Sequence, residues 1–296
     1  MYIWNKIKVI YLFFKELIDY NPKSHAEHDF YNVFLKCHND ILNLTNNSID
    51  DLSILILGCG YNYLDVILFS EISKKVYGLD IHIDFYKDGL FKCFRNLDKK
   101  NSKFKYIIKS IIYYLMAKKY YHNLKKIKNF DFDHGKIKLV IYDGKDIPFK
   151  NDFFDLIISN SVFQYINEMD VLFKELNRIT KPGGYNYHIW RNFYSFSGGD
   201  IPELLCYKHP WGHLRGKHKT YYLNKVLPVE MKNKLSEYFD ILKFNSLDKN
   251  HNKKDVNMEF QYEKEELLTA DIKKELNEYP VEILLTRSYL LLGQKN

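Results

Sequence analysis

Two histidines, His209 and His213, stand in the run His209-Pro-Trp-Gly-His-Leu-Arg-Gly216, which is poor material for a helix. Imidazole is the side chain whose ordinary pKa lies nearest neutrality, so either ring can take the proton of a reacting hydroxyl group. Either can equally be hydrogen-bonded to backbone as part of the framework. Metal ligation is discounted and no metal is expected, because no Asp or Cys stands at a supporting spacing. Arg191 and Arg215 offer planar donors to an anionic group. Asp200 lies in the Gly- and Pro-rich run Ser195–Glu203, and Trp211 offers either a flat face to a ligand or a core residue. Should neither histidine act, Tyr165, Asp200 and His188 are the next groups able to handle a proton.

A different chemistry attaches to Leu57-Gly58-Cys59-Gly60, which follows an apolar run. Glycines there let the backbone turn sharply and approach a ligand without a Cβ in the way. Asp80 follows Gly60 by twenty residues, at the end of the next apolar run. A carboxylate so placed can accept from both hydroxyls of an adenosine ribose. A nicotinamide fingerprint needs G-x-G-x-x-G, and Tyr63 occupies its third glycine position, which weakens an oxidoreductase reading.

These residues need a scaffold, and the hydrophobic pattern supplies one. Ser53–Leu57 is a short apolar run ending at the glycines and predicts a buried strand. Similar runs recur at Lys75–Leu79, Ile137–Tyr142, Phe154–Ser159 and Tyr185–Trp190, and Phe239–Phe244 and Val281–Leu292 predict two more strands. Helical stretches such as Glu168–Ile179 lie between them. Upstream, Ile3, Ile7, Ile10, Phe14 and Leu17 fall at helical spacing, and a second helix is expected over Glu27–Asn43. This alternation predicts an α/β fold, a doubly wound and mostly parallel seven-stranded sheet. The expected division is an N-terminal helical cap over 1–50, a core over 51–190, an acceptor lid over 191–235 and C-terminal strands over 236–296. Within the core, 99–130 reads as a basic helical insertion.

The run Asp143-Gly-Lys-Asp-Ile-Pro-Phe149, then Phe153-Phe-Asp-Leu-Ile-Ile-Ser-Asn160, Val162-Phe-Gln-Tyr-Ile166 and Lys181-Pro-Gly-Gly184 resembles the class I methyltransferases of the type 11 kind. The resemblance covers about residues 50–190 and, through the C-terminal strands, the fold to the end. It implies a Rossmann-like fold, an enzyme, and S-adenosylmethionine as the cofactor. Carried over by position, it implies that Gly58, Cys59 and Gly60 pass under the amino-acid part of the cofactor and that Asp80 holds the ribose diol. Ile81 would lie against adenine, Asp143 would accept from the adenine amino group with Gly144 and Lys145 alongside, and Asn160 would face the methyl-bearing sulfur. Two departures stand out: Asn62 replaces a third glycine, and Tyr165 replaces a histidine often found after the fourth strand. No N/D-P-P-Y motif follows that strand, so amino-methylation of DNA bases is not expected.

Two segments, His25-Ala-Glu-His-Asp-Phe-Tyr31 and the loop over 195–216, are similar to loops of bacterial methyltransferases associated with surface-polysaccharide synthesis. That narrower similarity implies O-methylation of a carbohydrate or surface-glycan precursor, with Trp211 against the sugar ring and His213, or else His209, as base. Rival acceptors are a lipid or quinone, or a phosphate- or phosphoramidate-bearing capsular group. A cofactor-binding module without turnover is the reading from another class.

The net charge of +7 is local: ten lysines and no acid fall between Lys99 and Phe130, so the rest of the chain is net acidic. A general nucleic-acid-binding surface is therefore not expected. Phe104, Ile107, Ile108, Ile111, Ile112 and Leu115 share a helical face amid those lysines. They pack on the protein's own core, or, with residues 1–20, meet a membrane surface. No run approaches the ~20 apolar residues of a membrane span. The four cysteines have no paired spacing, as expected of reduced thiols in a cytoplasmic protein.

Overall fold

The computed structural model describes residues 21–60, 64–81, 103–128, 136–142, 146–199, 203–220, 223–247 and 264–296. Seven strands form one sheet: β1 (Ser53–Leu57), β2 (Lys75–Asp80), β3 (Ile137–Ile141), β4 (Phe154–Asn160), β5 (Thr180–Arg191), β6 (Asp240–Leu247) and β7 (Ser288–Gln294). Their order is β3-β2-β1-β4-β5-β7-β6, with β7 antiparallel to both of its neighbours and every other pair parallel. The expected doubly wound, mostly parallel sheet is the sheet found. In β1, Ile54 to Leu57 are at most 1% exposed, because a central parallel strand is covered on both faces.

Helices α1 (Pro22–His28) and α2 (Lys36–Thr45) are joined without a break by a π-helical stretch, Asp29–Leu35. The Asn21 side chain caps the start by accepting from the Ser24 amide at 3.0 Å, with Pro22 at the first helical position. These helices, α3 (Leu64–Ser70) and α4 (Lys103–Lys128) cover one face of the sheet, burying Phe34, Ile41, Val66, Phe69, Tyr120 and Leu124 against Ile54, Ile56 and Tyr187. On the other face α5 (Met169–Ile179) and α7 (Pro228–Ser236) bring Phe173, Leu176, Met231 and Leu235 against Leu55, Leu57 and Leu291. Successive residues of β1 thus serve opposite faces, as the pleat requires.

Helix α6 (Glu203–Lys208) precedes α7, and α8 (Ala270–Glu275) and α9 (Val281–Leu285) follow β6. The strand expected over Val281–Leu292 is corrected here: its first five residues are helical, and only Ser288 onward joins the sheet. Leu268, Ile272, Leu276, Leu284 and Leu285 pack with Phe196, Cys206 and Trp211 in a separate small core. Residues 196–211 therefore share one small core with residues 268–285.

The basic insertion is a 26-residue helix, α4, whose Tyr120, Tyr121 and Leu124 are buried while Lys118, Lys119, Lys125 and Lys126 are exposed. No described helix is long and apolar enough to cross a membrane. The helix expected over residues 3–18 lies outside the described residues.

Candidate active site

The strand order reverses on either side of β1, whose neighbours are β2 and β4, so a crevice opens beyond the carboxyl ends of these strands. Gly58 and Gly60 leave β1 with φ of +67° and +69°, in the left-handed region that a side chain disfavours. A Cβ on Gly58 would also fall 2.2 Å from Val162 Cγ2. Space above Gly60 is open, with nothing within 4 Å of where its Cβ would stand. The Gly58 amide donates to Leu79 O at 2.7 Å, and the Gly60 amide to Asp80 Oδ2 at 2.8 Å. Asp80 thus ties the glycine turn to the end of β2. Ile81 beside it is 49% exposed, an apolar surface open to a ligand. The Tyr142 amide donates to Asp80 O at 3.2 Å, which directs the residues after β3 to the same edge. A bare glycine cradle, a carboxylate at the end of β2 and an open apolar residue after it fit an adenosine-bearing cofactor. Asp143, Gly144 and Lys145 lie outside the described residues, as do Asn62 and Tyr63. Cys59 is buried, and burial followed by the charges of Asp80 and Asp65 pushes its thiol far up, so it is not a nucleophile.

Much of the recognisable signature is scaffolding. Asp155 accepts from the Ser53 amide at 2.9 Å and from Lys181 Nζ at 2.6 Å, joining β1, β4 and the turn into β5. Arg178 donates to Ile147 O at 3.0 Å and Phe149 O at 2.7 Å while pairing with Glu175, which pins the β3–β4 connection to α5. Phe149 and Phe154 meet edge to face at 4.8 Å beside Tyr77.

At the carboxyl ends of β4 and β5 lies a cavity of about 560 Å³. One wall is the N-terminal helix, contributing Ser24, His25, His28, Asp29, Asn32, Val33 and Lys36. The other consists of Asn160 and Ser161 after β4, Ile189 and Arg191 of β5, Leu247 of β6, and Arg287 and Ser288 at the start of β7. In an α-helix four residues overshoot a full turn by about 40°, so a stripe from Ser24 to Lys36 would rotate by about 120° and leave the cavity. The π-helical stretch winds less per residue, because its hydrogen bonds span five positions, and brings the stripe back. Helix and sheet are fastened by Asp40, which is 7% exposed. It accepts from Tyr187 Oη at 2.9 Å and Lys243 Nζ at 2.6 Å and pairs with Lys36 at 3.3 Å.

Within this wall His28 Nδ1 lies 3.2 Å from Asp29 Oδ1, and Tyr120 of α4 donates to Asp29 Oδ2 at 2.9 Å. Asp65 of α3 stands behind them, hydrogen-bonded to the Asn160 side chain. Burial, and then the charge of Asp29, pushes its carboxyl up to about 7. Asn160 therefore has a partner in the helix layer, and Ser161 Oγ donates to its Oδ1 at 3.2 Å. Ser161 itself adopts φ +58°, a strained turn that ends β4 abruptly.

The histidine loop is placed differently from its expected role. His213 Nε2 lies 2.8 Å from Phe193 O and must donate to it; burial depresses the ring's pKa to about 4. His209 packs against the His218 ring at 5.2 Å, and its pKa is lowered by its surroundings and by His218. Trp211 is 0% exposed and donates to Leu284 O at 3.0 Å, so it cannot offer a face to a sugar. Arg215 is bound by Glu275 through two contacts, at 2.6 and 2.8 Å. None of these four lines the cavity, whereas Arg191 does. Tyr165, 46% exposed in the 3-10 turn Phe163–Tyr165, lies outside the cavity lining as well. His188 is fully buried with a pKa lowered to about 3, between Ser159 Oγ at 2.8 Å and Asn186 Oδ1 at 3.3 Å, and serves the sheet. Asp200 lies outside the described residues. Sequence reasoning missed His28, Asp29 and Asp65 as site residues. The available signal was the polar face of a helix whose other face is apolar, at Ser24, His25, His28, Asp29 and Asn32.

Residues 112–187, about a quarter of the chain, match the model of the methyltransferase domain. Solved structures similar to this chain include the S-adenosylmethionine dependent methyltransferase from Mesorhizobium loti, 13% identical with a TM-score of 0.44 over 86% of this chain and 96% of that one. The PH0226 protein from Pyrococcus horikoshii OT3 is 14% identical, with a TM-score of 0.43 over 90% and 99% of the two chains. The cyclase SpnF is 11% identical, with a TM-score of 0.46 over 88% and 80%. Likenesses of that order say nothing about the chemistry. No curated protein matches the sequence. The matched domain makes the chain an enzyme, a methyltransferase with S-adenosylmethionine as its methyl donor.

Proposed function

We propose that this methyltransferase methylates an oxygen of a carbohydrate or glycan precursor seated in the cavity between the N-terminal helix and the ends of β4, β5 and β7. The observation that carries the reading is the cavity's lining. Of its fourteen residues only Val33, Ile189 and Leu247 are apolar, and the rest carry hydroxyl, amide, imidazole or charged groups. A lipid or quinone would leave those polar groups without hydrogen-bond partners once buried. A hydroxylated ring can satisfy such a wall group by group.

Gly58 and Gly60 would give the cofactor's amino-acid part a close backbone approach, Asp80 would accept from its ribose, and Ile81 would cover the adenine. Asp143, Gly144 and Lys145 are assigned the adenine edge. Bound there, the cofactor supplies an electrophilic methyl group on a sulfonium. The protein holds the acceptor oxygen in line with it, and most of the acceleration comes from that alignment. Arg191 and Arg287 on the same wall favour, as a second reading, an acceptor that also carries phosphate.

The test incubates purified enzyme and S-adenosylmethionine with free hexoses, sugar nucleotides, sugar phosphates and a quinol, following S-adenosylhomocysteine release. Turnover confined to the sugars is expected. Turnover confined to the quinol, or binding of S-adenosylmethionine with no turnover on any sugar, overturns the reading.

A further inference from the structure

We infer that His28 is the general base of this reaction, oriented by Asp29 and, through it, by Tyr120. The inference rests on the proposed O-methylation and names the group that removes the acceptor's proton.

A carboxylate accepts, so the contact of 3.2 Å places the ring proton on His28 Nδ1. Nε2 is left with its lone pair, on a residue that lines the cavity and whose side chain is 61% exposed. The other carboxylate oxygen is held by the Tyr120 hydroxyl, which is fully buried. Burial and the charges of Asp29 and Asp65 raise its pKa well above the usual phenol value, so it stays a donor. The arrangement is a base, a carboxylate that fixes its tautomer, and a donor that fixes the carboxylate. His28 and Asp29 are neighbours where α1 passes into the π-helical stretch, and Tyr120 reaches them from α4. The charged and titratable groups around the ring are His25, Asp29 and Lys36 on its own helix, Asp65 on α3, Tyr120 on α4, and Arg191 and Arg287 across the cavity.

In the step itself the acceptor oxygen forms its bond to the methyl carbon as the carbon–sulfur bond breaks, and that electron pair stays on sulfur. The acceptor's proton ends on His28 Nε2, and Nδ1–H stays hydrogen-bonded to Asp29. The imidazolium is stabilised by the carboxylate until it returns the proton to water.

The test compares full-length wild type with His28→Asn, Asp29→Asn and Tyr120→Phe, using the sugar turned over fastest in the panel. Removing a general base costs about 10²–10⁴ in rate, so His28→Asn should lose that much kcat while its calorimetric affinity for S-adenosylmethionine is kept. The ascending limb that an imidazole base gives between about pH 5 and 8 should disappear with it. Asp29→Asn should lower kcat more than it changes KM, and Tyr120→Phe should do the same to a smaller extent. Nitrogen NMR of the labelled protein reads the tautomer directly: Nδ1–H on His28 in wild type, shifting toward Nε2–H in Asp29→Asn. Wild-type turnover in His28→Asn, or an Nε2–H tautomer in the wild type, overturns the inference. Should no sugar turn over at all, the function reading falls, and the tautomer still decides the dyad.

Discussion

Removing the Asp40 carboxylate should cost the fold about 3–5 kcal/mol, the price of stranding a buried charge. Lys36 and Lys243 close on this carboxylate from α2 and β6, with side chains only 16% and 21% exposed. In Asp40→Ala the two ammonium groups would face each other with no counter-charge. Burial already depresses the Lys36 pKa even with Asp40 beside it. The fully buried Tyr187 hydroxyl would also lose its acceptor, a loss worth about 1–3 kcal/mol that overlaps with the first. At about 2–4 °C per kcal/mol for a chain of this size, Tm should fall by about 6–20 °C. Calorimetric melts at low and high salt are the assay, and the deficit should barely change with salt because the pair is shielded from ions. Replacing all three partners together, Asp40→Leu, Lys36→Met and Lys243→Met, should recover most of the loss. A cost below about 1 kcal/mol, or one that vanishes in salt, would mean a solvated surface pair and refute the reasoning.

Two further outcomes follow from the same geometry. His213 and His188 have pKa values lowered from 6.5 to about 4 and about 3, so in the unfolded chain both take up protons that the fold refuses. Stability should therefore be full above about pH 6.5 and fall as pH drops, down to about 4 for His213 and about 3 for His188, by up to about 1.4 kcal/mol per unit for each ring. Urea unfolding at stepped pH measures this, and His213→Gln should flatten the slope; an unchanged slope would remove His213 as its source. Asp80→Ala should weaken S-adenosylmethionine binding by about 1.5–3 kcal/mol, or roughly 10- to 150-fold, by calorimetric titration. Undiminished affinity would take Asp80 out of the cofactor site.

The sheet was legible because its strands are short apolar runs closed by glycines or acids, as strands buried on both faces must be. The Gly58–Gly60 turn and Asp80 were legible because their roles need glycine and carboxylate at strand ends. Val281–Leu285 misled because its four apolar residues, interrupted only by Glu282, suit a buried helix as well as a strand, and periodicity cannot separate them. What decided the matter was a partner distant in sequence, the small core around Trp211. The same hidden partner misassigned the histidine loop. Composition marks His209, Trp211, His213 and Arg215 as reactive, but Leu284, Phe193 and Glu275 claim three of them for structure. His28 and Asp29 fall within the segment His25–Tyr31, whose similarity assigns them no role, since a helix's polar face reads as solvent-facing until a cavity is seen opposite it.

The position of β7 has a consequence for how the chain is made. Among the described residues β6 has no neighbour in the sheet except β7, and β5 meets β7 along the seven pairs from Tyr185 to Arg191. A ribosome delivers β6 about forty residues before the strand that must sit between it and β5. Until then β5 presents a bare, largely apolar edge, the kind of surface on which nascent chains pair with one another. Closing that gap requires contacts of long sequence separation, which form slowly. The yield of native enzyme should therefore be governed less by the stability of the finished sheet than by how long this edge stays open.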